Sequence, residues 1–77
     1  MSDVVEGVYM DRLSRGVHHL NRLERMYINL RREPDCYTDD VKARKGERLH
    51  SMISVQRHMV SMRAISVIDY RNRSAAA

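Results

Sequence analysis

The side chains able to do chemistry in this sequence are few: a single thiol at Cys36, four histidines and an unusual density of arginine. A nucleophilic cysteine needs a base beside it and an electropositive setting that holds the thiolate. Cys36 stands between Asp35 and Tyr37, and His18, His19, His50 and His58 all lie well away along the chain, so a structural or incidental thiol is favoured over a catalyst. Metal chemistry is no better supported. No two histidines stand at i, i+4, the cysteine has no second cysteine to work with, and the acids of "DCYTDD" lack the glycine and closing glutamate of a calcium loop. Gly7, Gly16 and Gly46 are isolated, so there is no glycine-rich loop to cradle a phosphate. The expectation is a protein without enzymatic activity, cofactor or metal.

What remains is arginine. The stretch "DRLSRGVHHLNRLERMYINLRRE", residues 11–33, carries Arg12, Arg15, His18, His19, Arg22, Arg25, Arg31 and Arg32 threaded between leucines. Twelve of the fourteen Lys and Arg residues in the chain are Arg, and the formal net charge is +4 with a pI near 9.7. The guanidinium is a flat fork of donors matched to phosphate and carboxylate, and it is less strongly hydrated than an ammonium, so this bias favours contact with an anion. A gene whose base composition simply encodes arginine often would give the same bias.

Those side chains must be positioned by helices. At 100° per residue from Leu13, the residues Tyr9, Gly16, Leu20, Leu23, Tyr27 and Leu30 fall in one arc, with Met10, Val17 and Ile28 along its edge. The alternating three and four spacing of that seam is the pattern of helices packed nearly antiparallel or parallel. Ser2 or Asp3 can cap its start, and Pro34 biases Glu33 out of the helical region, which predicts a first helix over about 3–32. A turn follows over about 33–38, where "EPDCYTDD" is the only strong break. Thr38, Asp39 or Asp40 can then cap a second helix over about 39–72, with Gly46 as a candidate kink or later start and residues 73–77 fraying.

In the second helix Leu49, Met52, Gln56, Met59, Arg63 and Tyr70 alternate by threes and fours, flanked by Ile53, Val60 and Val67 on one side and Val55 and Met62 on the other. That arc is wider than one partner helix can cover. Seventy-seven residues without a disulfide make a marginal monomer, so the expected fold is all-α: one antiparallel helical hairpin spanning 1–77 that dimerises into a four-helix bundle. Its core and dimer seam would be Leu13, Leu20, Leu23, Tyr27, Leu30, Leu49, Met52, Met59, Val60 and Arg63. A turn centred near Cys36 places Arg63 beside Tyr9 and Glu6 and lets Glu24 face Arg48. Arg63 and Gln56 break the apolar arc, and setting the register of the bundle is favoured for them over holding an anion inside it.

On the same wheel Arg32, Arg25, His18, Arg22, Arg15, His19 and Arg12 occupy roughly 100° to 260°, opposite the leucines, with Asp11 the only acid among them. From Arg12 to Arg25 the stripe spans about 20 Å at 1.5 Å per residue. It can serve as a solvated face that keeps a small oligomer soluble, as a phosphate-binding face, or as a face for an acidic protein groove. The phosphate reading is preferred to a membrane one because the opposite face is used as a seam. A duplex is preferred to a single strand because no aromatic stands in the stripe to stack on bases, and no helix-turn-helix, zinc-finger or RNA-recognition pattern suggests sequence reading. Straight helices can follow phosphates, and in RNA also 2′-hydroxyls across the shallow groove.

The architecture reached in this way resembles that of certain viral suppressors of RNA silencing, helical hairpins that dimerise and lie along double-stranded RNA. The likeness is of architecture; it implies duplex RNA as the partner and assigns no residue roles. The alternative is a small viral or phage inhibitor or adaptor that blocks a host protein, supported by the nearly uncharged outer face of the second helix, where Ser51, Ser54, His58 and Ser61 accompany Ile65 and Ile68. Acids where a signal peptide needs bases, and the lack of an apolar run near 18 residues, predict a chain kept in the reducing cytosol or nucleus of a host cell, away from membranes.

Overall fold

The computed structural model describes residues 2–32 and 39–76, with side chains from Val4 onward. Two α-helices account for all of them, α1 over Ser2–Arg32 and α2 over Asp39–Ala76, and no strand occurs among the described residues. The helices pack against each other as an antiparallel pair measuring 58 × 15 × 12 Å. Asp39 and Asp40 occupy the first turn of α2, and Arg31, Arg32 and Arg73 the last turns of α1 and α2, each sign at the end of the helix dipole that favours it. The turn with Pro34 and Cys36, the Thr38 cap and capping by the side chains of Ser2 and Asp3 lie outside the described residues.

α2 departs from expectation at its end, which runs on to Ala76 where fraying was expected from residue 73. An Arg73–Asp69 ion pair of 2.7 Å, at i, i+4, straddles the expected boundary, and alanine is the strongest helix former. Gly46 lies inside the helix rather than at its start. A Cβ there would come 3.9 Å from the Tyr27 ring, so the residue forms part of the surface on which that ring lies.

α1 contributes buried Leu23 and Gly16 to the seam, with half-buried Tyr9, Leu13, Leu20, Tyr27 and Leu30. α2 contributes buried Ile53, Gln56 and Val67, with half-buried Leu49, Val60, Arg63 and Tyr70. The buried strip of α2 is therefore rotated toward Ile53, Val60 and Val67. Met52 and Met59, expected in the seam, remain 43% and 39% exposed. Gly16 explains the roll. With no side chain of its own it lets α2 approach closely, and a Cβ there would lie 2.9 Å from Arg63 Nη1 and 3.3 Å from Val60 Cγ2. The stiff, β-branched side chains recurring at 53, 60 and 67 supply the surface that fills this narrow gap.

The register also corrects the expected pairs. Arg63 does not pair with Glu6; its Nη1 donates to the Arg12 carbonyl at 3.0 Å. Tyr9 packs on Tyr70 with ring centroids 5.4 Å apart, Glu6 pairs with Arg71, and Glu24 pairs with Arg57 at 3.3 Å instead of facing Arg48. Side chains lean toward the N-terminus of their own helix, so in an antiparallel pair those of α2 reach back toward the turn while those of α1 reach away from it. The two leans add, and the side-chain pairs Tyr9–Tyr70 and Glu24–Arg57 fall about two turns later on α2 than a count of Cα levels gives, whereas the Gly16 and Arg12 carbonyls, which do not lean, are met by Gln56 and Arg63 within one turn of it.

Candidate nucleic-acid interface

With the Gly16 face of α1 committed to α2, the arginines at 12, 15, 22 and 25 are left on the solvent side. Arg12, Arg15, His18, His19, Arg22, Arg25 and Arg32 are all exposed. Arg15 Nε binds Asp11 at 3.1 Å, an i, i+4 pair with the arginine side chain 79% exposed. A pair so open to water is worth well under about 1 kcal/mol and yields easily to a competing anion. Among the described residues, Arg12, Arg22, Arg25 and Arg32 make no ion pair at all.

The acids of α1 are placed so that they do not neutralise this face. Glu6 and Glu24 sit on the flank where α2 passes, and they are taken up by Arg71 and Arg57. Arg71 also points Nη2 at Met10 Sδ, 3.9 Å away. α2 thus supplies the counter-charge for α1's acids, and of the acids of α1 whose side chains are described only Asp11 remains near the stripe. Arg31 is the exception among the candidate residues. Six residues beyond Arg25 it is turned 240° around the helix, and its guanidinium carbon lies 5.8 Å from the centroid of the Tyr27 ring. It borders a groove with Lys42, Gly46 and His50 rather than the stripe.

Beneath the stripe, two polar side chains of α2 fix its backbone. Gln56 Nε2 donates to the Gly16 carbonyl at 3.2 Å in the buried seam, and Arg63 does the same to the Arg12 carbonyl, one turn earlier. Both acceptors are main-chain groups four residues apart on α1, so the two bonds tie a given turn of α2 to a given turn of α1. The guanidinium of Arg63, considered as an anion ligand, is engaged with the backbone. Sequence periodicity marked both residues as anomalies but could not name their acceptors, because carbonyls carry no sequence signal.

Among the described residues no group of three or more His, Cys, Asp or Glu could hold a metal ion, and no helix is long and apolar enough to cross a membrane. No protein-family model, no curated protein and no solved structure matches this chain.

Proposed function

We propose that the hairpin pairs with a second copy into a four-helix bundle and binds double-stranded nucleic acid, RNA in preference to DNA, without reading sequence. Arg12, Arg15, Arg22 and Arg25 make the phosphate contacts, and His18, His19 and Arg32 extend them. The observation that carries the reading is the withdrawal of Glu6 and Glu24 to the α2 flank, which leaves about 20 Å of α1 with one acid among its cations. An ordinary solubility face mixes both signs. A helix presenting forks at steps of three and seven residues suits a backbone whose charges recur along its length, and the preference for RNA rests on 2′-hydroxyls accessible across a shallow groove. The role is binding rather than catalysis, of the kind exercised by small viral silencing suppressors inside a host cell.

The test is the double variant Arg15→Ala/Arg22→Ala, titrated against a short RNA duplex beside the wild type. Loss of two contacts per copy, four for the bound pair, lowers the slope of log K against log salt by roughly 3.6. Helicity and sedimentation should be unchanged, and equal affinity of the two proteins would make the stripe a solubility face. A second reading, a protein-binding inhibitor or adaptor, is favoured by the outer face of α2, where Ile65 and Ile68 are 57% and 58% exposed among serines and His58.

A further inference from the structure

α2 carries two heptad seams, and α1 covers only one. The covered seam is 49, 53, 56, 60, 63, 67 and 70. The other runs through Lys45, Arg48, Met52, Val55, Met59, Met62, Ser66 and Asp69 at steps of three and four. Its four apolar members are 43%, 61%, 39% and 51% exposed in chain order. Met52 and Val55 share an open groove with His19 and Leu23 of α1, and Met52 another with Met26 and Leu30, so the seam belongs to one whole side of the hairpin.

We propose that this side is the surface on which a second copy of the chain docks, with the two α2 helices antiparallel and the two-fold axis passing at the level of Arg57. Three observations converge on that occupant. The first is area. The chain exposes 6388 Å², against about 4,900 Å² for a compact monomer of its mass. The excess of about 1,500 Å² per copy, about 3,000 Å² for a pair, falls within the range of obligate homodimers. The second is symmetry. The spacing of the stripe reads the same in both directions about residue 57, so an antiparallel copy sets Met52 against Met62 and Val55 against Met59, the self-complementarity that a two-fold interface requires.

The third is charge. The same register sets Lys45 at one end of the seam opposite the Asp69–Arg73 pair of the other copy, and Arg48 opposite Ser66, whereas a parallel pair would place Lys45 on Lys45 and Arg48 on Arg48. Stacking the hairpins this way keeps α1 on the same edge of the bundle in both copies. The two arginine stripes then lie side by side and run in opposite directions, matching the two-fold symmetry of a duplex backbone. The inference rests on the proposed self-association and is independent of nucleic-acid binding.

The test is site-directed cross-linking of the full chain carrying Cys36→Ser, with Met52→Cys on one preparation and Met62→Cys on another, each refolded from urea alone and as a mixture and then oxidised mildly. Antiparallel pairing brings 52 and 62 together and holds the two copies of residue 52 about 15 Å apart along the axis, beyond the reach of a disulfide. Cross-linked dimer in the mixture, with little in either preparation alone, is the expected result. Cross-linking of Met52→Cys with itself would overturn the antiparallel register. A protein that sediments as a dimer yet cross-links in no combination would place the interface elsewhere while leaving self-association intact, and a monomer at all concentrations would remove both.

Discussion

Substituting Gly16 by Ala sets two effects of known sign against each other. Exchanging glycine for alanine inside a helix stabilises it by about 1 kcal/mol. The new methyl would stand 2.9 Å from Arg63 Nη1, so the fork must swing away from the Arg12 carbonyl. A hydrogen bond from a charged donor contributes about 1.5–3 kcal/mol, and Arg63 is only half-buried, which selects the lower end. Val60 Cγ2, at 3.3 Å, must also yield by a few tenths of an ångström. Gly16→Ala is therefore expected to cost about 0.5–1 kcal/mol in the wild-type background.

In an Arg63→Met background, which keeps the aliphatic stem and removes the fork, the propensity gain is no longer opposed by a lost bond. The same substitution should then stabilise by about 0.5 kcal/mol, giving a coupling of about 1–1.5 kcal/mol between the two sites. The assay is urea unfolding followed by circular dichroism on all four members of the cycle at one protein concentration. Additivity within about 0.5 kcal/mol, or a full stabilisation by Gly16→Ala in the wild-type chain, would refute the close approach of the helices at this point.

Three further outcomes follow from the same geometry. Gln56→Leu removes a bond worth about 1 kcal/mol but adds apolar burial, and the Gly16 carbonyl keeps its place in the helix ladder. Its urea midpoint should therefore lie within about 1 kcal/mol of wild type. Glu24→Gln breaks an exposed pair with Arg57 and should cost no more than about 1 kcal/mol, read in the same unfolding assay, with the difference shrinking in high salt. Arg31→Ala should leave duplex affinity near wild type while Arg22→Ala weakens it in a parallel titration, because Arg31 lies on the Tyr27 ring, off the stripe.

The hairpin itself was legible because two long leucine and methionine periodicities are separated by one cluster of turn residues. The exposure of the arginine stripe followed from the same wheel. Which half of α2's wide arc faces α1 was not legible, since Met52, Met59, Ile53 and Val60 are equivalent to a hydrophobicity pattern. The choice turned on shape, a glycine on α1 and β-branched residues at 53, 60 and 67 that fit over it. The partners of Glu6 and Glu24 were not legible because sequence counts Cα levels, whereas Arg71 and Arg57 act at the tips of leaning side chains, about two turns away. The helical continuation to Ala76 had a signal in the Asp69–Arg73 spacing that outweighs the usual fraying of a terminus.

Whether the basic face of α1 binds duplex phosphates is tested by titrating the wild-type chain against a short RNA duplex, the matching DNA duplex and the single strands at 50 and 200 mM salt. Four phosphate contacts per copy, eight for the bound pair, give a slope of roughly −7.2, a loss of about 20,000-fold in affinity over that fourfold change in salt. That steep loss is expected on duplexes, with RNA held more tightly than DNA and both more tightly than single strands. Binding that ignores salt, or no binding to any duplex at 50 mM, would contradict it.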